Sequence, residues 1–347
     1  MQAAPEKAFP YSFLVTDSPR SHDEVPPSVT IAFIAEAAGV SIPTVSKVLN
    51  GRSGVSDETR ARIEELINQY GYRRPSGTRS STVELVFREM ADTWAVEVIR
   101  GVERVARKNR IGLFVSQFDS SIDDTIGRRP SCVLFVSQIS KSERDRLKAK
   151  EIPFVVIDPI DELPDDIPFV GITNWRGGHS ATRHLLDLGH RRVAMINGPD
   201  YPFCRARMAG YFSALGEADL TPDPALLVRT ELTRDHGYAA ALDLLSRAGR
   251  PTAIFASNDM QAFGVYRAAR ELGLSVPGDL SVVGFDDLVV SDWVDPPLTT
   301  VRQPLFEVAG AATELALTLG RGEPVPQIGL EIATILTVRE STAPPKG

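Results

Sequence analysis

A small all-helical unit followed by a larger α/β core of doubly wound parallel sheet is the fold class this sequence predicts, and three observations predict it. Between Val29 and Tyr70 apolar residues recur at three- and four-residue spacing in short segments opened by capping residues. From Thr82 onward the runs VELVF, IGLFVS, SCVLFVS, FVVID, RVAMIN, TAIFAS and SVVGFD alternate with amphipathic helical stretches. Such near-continuous apolarity marks strands covered on both faces, as in a parallel sheet flanked by helices. At 347 residues and 43% hydrophobic content, the chain is long enough for a small headpiece and a two-part core.

The helical unit is read element by element. Thr30 is placed to cap a first helix whose stripe is Ile31, Ile34, Ala35 and Ala38, and Gly39 supplies the left-handed turn that stops it. A second helix starts almost at once. Ser41 is placed to accept from its first free amides, Pro43 is tolerated in an opening turn, and Val45, Val48 and Leu49 form its buried stripe. Ile42, Pro43, Ser46 and Lys47 are left outside. A third helix follows, with Ser56 as cap, Asp57 and Glu58 on its positive end, Ile63, Leu66, Ile67 and Tyr70 at core spacing, and Gly71 as its stop. Helices joined by corners this tight form a helix-turn-helix unit, whose second helix presents its first turn to base edges in a major groove. The residues expected to face DNA are Thr30, Ser41, Ile42, Pro43, Thr44, Ser46, Lys47, Asn50, Ser56, Thr59, Tyr72, Arg73 and Arg74. The competing reading is a helical cap on an enzyme.

The same residues carry a resemblance. AEAAGVSIPTVSKVLNG, VSDETRARI and ELINQYGY resemble the headpiece of the lactose and galactose repressor family, LacI/GalR. HLLDLGHRRVAMING, RARMAGY, PTAIFASNDMQAFGVYRAARELGLSVPGDLSVVGFDD and PPLTTVRQP resemble that family's sugar-sensing core, so the likeness runs from about Val29 to Thr342. It implies a type I periplasmic-binding-protein architecture of two parallel-sheet lobes around a cleft. It also implies three crossovers, near Leu188, Val301 and Arg321, giving a first lobe of 82–188 and 304–320 and a second of 189–301 and 322–342.

Composition sets bounds on function. The net charge of -7 is unusual for a DNA binder, yet an interface needs only a local basic face. Between Val29 and Ser81, Lys47, Arg52, Arg60, Arg62, Arg73, Arg74 and Arg79 outnumber Glu36, Asp57, Glu58, Glu64 and Glu65. Cys132 and Cys204 have no CxxC or Cys/His spacing, which argues against a disulfide framework or structural zinc and for two buried, reduced thiols. No run reaches the length of a membrane span. Residues 1–28 lack the features of a signal peptide and read as a disordered tail or an over-called start site, so a cytoplasmic protein is expected.

In the core, helices are expected at Trp94 to Lys108, Gly178 to Leu188, Cys204 to Leu215, His236 to Ser246 and Met260 to Leu272. More than seven strands over about 260 residues favour two sheets. In such sheets ligands sit beyond the carboxyl ends of strands. There the sequence places Glu89, Asp92 and Trp94, then Asn174 and Trp175, then the RAR pair, then Asn258 and Asp259, then Asp286 and Asp287. Carboxylate, amide and guanidinium groups bind vicinal hydroxyls while a flat ring stacks on a pyranose, so a small carbohydrate suits this mixture. The family resemblance implies that Arg207, Asn258 and Asp286 hold effector hydroxyls. Trp94 and Trp175 are the expected stacking platforms, with Glu89 and Asp92 beside them.

Each of these has a plainer reading. Asp259 and Asp287 serve as helix caps, Arg207 as a surface residue balancing Glu217 or Asp219, Trp94 as packing and Trp175 as a hinge plug. Trp293 reads as core, and His184 and His190 are too isolated to be metal ligands. An enzyme lacks its motifs: there is no GxGxxG after the first strand, no Walker loop and no GxSxG, and Asp123-Asp124 and Asp165-Asp166 read as solvated turns. A periplasmic sugar-binding protein has no use for the headpiece.

The chain departs from the family where a YxPNxxAR-like hinge helix follows the headpiece. Here Tyr72 is followed by RRPSGTRSSTVELVF, with Pro75, Gly77 and no Leu. The linker of residues 73–81 is therefore expected to be an extended basic strap of Arg73, Arg74 and Arg79 rather than a minor-groove wedge. The whole reads as a repressor without cofactor or metal, acting as a homodimer or tetramer on a palindromic DNA operator under control of a small carbohydrate. A nucleobase or other small metabolite on the same scaffold is the alternative effector.

Overall fold

Two kinds of architecture follow one another along the chain. The computed structural model describes residues 29–49, 54–70, 72, 81–88, 94–117, 122–325 and 327–346. They fall into two compact units, the three N-terminal helices and the α/β remainder.

In the first unit α1 (Ile31–Ala38) opens with the Thr30 hydroxyl accepting from the Phe33 amide at 3.2 Å and closes on Gly39, whose φ of 66° is the left-handed conformation that only glycine adopts without strain. The next helix, α2 (Ile42–Leu49), buries Val45 and Val48. In α3 (Asp57–Gln69) the Ser56 hydroxyl caps by accepting from the Thr59 amide. Ile34, Ala35, Ala38, Val45, Val48 and Ile63 meet in one apolar core. Tyr72, expected at the DNA surface, is 6% exposed and belongs to that core.

The second unit holds two six-stranded sheets. The first runs in the order β11 (Gly329–Ile332), β5 (Phe169–Ile172), β4 (Phe154–Ile157), β3 (Cys132–Val136), β1 (Thr82–Phe87) and β2 (Gly112–Gln117), all parallel. The second runs β12 (Ile335–Thr337), β10 (Thr299–Arg302), β9 (Ser281–Asp286), β8 (Ala253–Ala256), β6 (Val193–Asn197) and β7 (Leu227–Arg229). Only β12 is antiparallel there, to β10. β1, β2, β3, β4, β6, β8 and β9 are the apolar runs of the sequence; the side chains of all but β2 are buried beneath the helices, whereas β2, expected to be covered on both faces, is an edge strand partly open to solvent.

Three segments join the sheets, and two of them lie away from the expected places. α7 (Asn174–Asp187) starts directly after β5 yet packs on strands of the second sheet, so the first crossover falls at Thr173 rather than near Leu188. The second falls between β10 and α11 (Leu305–Gly320), which returns to pack on α4 (Trp94–Lys108) and the first sheet. The third falls at residues 333–334 rather than near Arg321, because Gly329–Ile332 pairs in parallel with Phe169–Ile172 at the edge of the first sheet. Residues 329–332 therefore belong with the first sheet.

Other expectations are revised. Asp123 and Asp124 open α5 (Asp123–Arg128) instead of a loop. Trp293 is 73% exposed rather than core. His190 is buried between Thr252, Ser281 and the Ala343 carbonyl, and Cys132 and Cys204 are buried and unpaired with each other.

Candidate functional site

On the first unit, α2 presents its opening turn outward. Ile42 is 47% exposed for an apolar residue, Ser41, Pro43 and Lys47 are exposed, and Thr44 and Ser46 are half-buried. The hydroxyls are held rather than free: Ser41 pairs with Thr44 at 2.9 Å, and Ser56 with Thr59 at 2.8 Å. Ser41 thus meets the Thr44 hydroxyl where an amide was expected. Exposed Thr30 spends its oxygen on the α1 cap. Asn50, Arg73 and Arg74 lie outside the described residues.

In the second unit the strand ends of both sheets meet at an inner cavity of about 370 Å3. Trp94 opens α4 on one side, with Asp158 just past β4. Arg207 from α8 (Pro202–Glu217), Asn258, Asp286 and Gln303 come from the other side, and Phe203 lines it too. Of the seven expected effector contacts, Trp94, Arg207, Asn258 and Asp286 are brought together here. Glu89 and Asp92 lie outside the described residues.

Arg207 is set by the packing of α7 on α8. A Cβ on Gly178 would collide with the Arg207 backbone, so the missing side chain permits this close approach. Arg207 is 2% exposed, which removes the surface-residue reading. Its Nε donates to Asn174 Oδ1 at 2.9 Å and its Nη1 to the Ser257 carbonyl at 2.7 Å, while its carbon lies 3.6 Å from the Phe285 ring centroid. Nη2 has no partner among the described residues.

Asp286 ends β9 with a φ of 125°, and Asp158 follows β4 with a φ of 47°. Non-glycine residues in this half of backbone space are strained, and strain of this kind concentrates where ligands are held. Burial pushes both carboxyls above the usual carboxylate range, and the Arg207 guanidinium pulls them back only in part. Gln303 is 6% exposed; its Nε2 donates to Asp286, and its Oε1 is buried with no partner among the described residues. An acceptor in that state is costly until a ligand hydroxyl reaches it.

The capping part expected of Asp259 falls to Asn258. Asn258 is the cap of α10 (Asp259–Glu271): its Oδ1 accepts from the Gln261 amide and its Nδ2 donates to the Leu232 carbonyl, each at 2.9 Å. Asp259 is no cap. It is fully buried and accepts from the Leu288 amide, the Ser291 hydroxyl and the Thr300 hydroxyl. Sequence reasoning missed Asp158 and Gln303. The strand-end rule that selects Asp286 also selects Asp158 in FVVID, whereas Gln303 sits in a crossover with no strand signal of its own.

Trp175 does not line the inner cavity. It borders an outer one of about 1060 Å3, also between the two sheets, where its ring stacks on His179 at 5.1 Å. At 47% exposure it does not plug the hinge.

A helix-turn-helix unit and a two-sheet core with a polar cavity at its strand ends define the class of DNA-binding regulators that carry a periplasmic-binding-protein-like sensor. Residues 30–75 match the family described as bacterial regulatory proteins, lacI family, and residues 182–342 match the periplasmic binding protein-like domain. Catabolite control protein A of Priestia megaterium is 30% identical over 331 residues, covering 91% of this chain and 99% of that protein. The structure of a CelR-cellobiose complex aligns with a TM-score of 0.70 at 31% identity, covering 90% of this chain and 99% of that one. The lac repressor dimer bound to operator aligns at 0.67 with 26% identity, covering 91% and 99%. The chain belongs to the LacI family and is a DNA-binding transcriptional regulator, not an enzyme. No single helix among its described residues is long and apolar enough to cross a membrane.

Proposed function

We propose that this regulator is a repressor that binds a palindromic operator as a homodimer, its DNA affinity set by a small carbohydrate in the inner cavity. The observation that carries the ligand reading is the convergence on about 370 Å3 of Arg207, Asp286, Asp158 and the unpartnered Gln303 oxygen beside Trp94 and Phe203. Donors, acceptors and flat rings in a space of this size suit a polyhydroxylated ring. One relative's structure as a complex with cellobiose and another's as a dimer bound to operator support it. Ile42, Pro43 and Lys47 supply base contacts from α2: an apolar pair for a thymine methyl and one donor head for a guanine. Arg73, Arg74 and Arg79 add cationic contacts to the phosphates.

The test joins both halves. A duplex selected from a random pool should prove palindromic, and a sugar that raises the melting temperature should shift the affinity for that duplex by about 5- to 150-fold. If a nucleobase stabilises the fold and no sugar does, the carbohydrate reading is lost.

A further inference from the structure

We infer that the ligand is a neutral disaccharide or longer oligosaccharide, with one ring in the inner cavity and the next ring stacked on Trp175 in the outer one. This rests on the inner cavity being a sugar site. The two cavities share Asp158 and Phe203 in their linings, so the inner space adjoins the outer one at these two residues.

The outer cavity, at about 1060 Å3, is far larger than a single ring held by the inner contacts requires. An indole at 47% exposure beside a cavity forgoes about half of its hydrophobic gain on folding, and His179 stacks on the ring at an interplanar angle of 19°. That stack fixes the plane of the indole, which is what a platform for a pyranose face needs. Neutrality follows from the charges. Asp158, Asp161 and Glu331 line this space against Arg176, and Glu162 at its rim is already paired with Arg205 at 3.0 Å. A phosphate or uronate carried on the second ring would meet more carboxylates than cations.

Calorimetry on the full chain, with glucose, maltose and maltotriose as one series and glucose, cellobiose and cellotriose as another, tests this. At least one disaccharide should bind about tenfold or more tightly than glucose. Trp175→Ala should remove that advantage while leaving glucose affinity within about twofold, and Trp175→Phe should keep most of it. Equal affinity for glucose and its disaccharides, or a disaccharide advantage that survives Trp175→Ala, overturns the inference while the inner sugar site stands. If neither these sugars nor any other mono- or disaccharide raises the melting temperature, the sugar site itself fails, and the inference with it; a monosaccharide outside these series that binds as tightly as its own disaccharides overturns the inference alone.

Discussion

Asp259 and Asp286 flank the same sheet, the first fully buried and the second half-buried at a cavity wall, and do opposite work. Asp259 follows β8 and is enclosed by three protein donors, from Leu288, Ser291 and Thr300. Asp286 ends β9 on a strained backbone and has one side-chain donor, Gln303, in a cavity that also holds Arg207. A buried carboxylate whose hydrogen bonds are filled by protein ties elements together. One left short of donors at a cavity wall is waiting for a ligand. The contrast assigns a structural part to the first and a binding part to the second, although the two residues have the same side chain.

The largest expected effect breaks the first half of that contrast. Asp259→Ala strands one buried amide and two buried hydroxyls, so it should cost at least about 3 kcal/mol in urea unfolding. Asp286→Asn, by contrast, should leave the ligand-free fold as stable as before or more so. Equal losses from the two would mean that Asp286 is also structural.

Next in size is the loss of ligand response. Arg207→Ala and Asp286→Asn should each weaken sugar affinity by about 100-fold, equivalent to about 2.7 kcal/mol, because each leaves a charged or polar partner unmatched in the cavity. DNA affinity without sugar should not change. A normal melting-temperature shift with sugar in the Arg207→Ala protein would take that residue out of the site.

How much of this was legible in the sequence depended on whether a role has a local signal. Caps and apolar periodicity placed α1, α3 and α4, most strands of the first sheet and the inner strands β6, β8 and β9 of the second, because those signals act within a few residues. Arg207 and Asp286 were readable from motifs. Gln303 was not, since its value comes from an oxygen left unpaired only by the folded surroundings. Asn258 and Asp259 could not be told apart locally: either side chain can cap α10, and tertiary partners decide. Tyr72 has the composition of a DNA contact but is claimed by the headpiece core, and Trp175 moved from the inner to the outer cavity because α7 begins one residue past the crossover, earlier than its apolar stripe suggests. The third crossover escaped because GLEI is a short edge strand with alternate residues exposed.

A smaller effect is expected in the pH dependence of stability. Burial raises the Asp286 carboxyl above its ordinary range, so the folded state favours its protonated form. Its contribution is then fully present below the unfolded value of about 4 and is lost as pH rises through the higher folded value. Asp286→Asn removes that loss. The stability difference, variant minus wild type, should therefore grow as pH rises above about 4, measured by urea unfolding at fixed ionic strength without ligand. A difference that shrinks with rising pH would mean that Arg207 holds the carboxylate ionised and that the cavity is charged before ligand enters.

The smallest effect isolates the unpaired oxygen. Gln303→Met keeps the volume of the side chain, removes the donor to Asp286 and removes the orphan acceptor together. Losing one hydrogen bond while relieving one unsatisfied group should nearly cancel, so the ligand-free protein should unfold within about 1 kcal/mol of wild type. Sugar affinity should fall by about 2- to 12-fold, the worth of one neutral hydrogen bond of about 0.5–1.5 kcal/mol. If Gln303→Met instead destabilises the ligand-free fold as much as Asp259→Ala does, Gln303 belongs to the structural network. The boundary drawn between the two carboxylates would then run through the cavity wall rather than behind it.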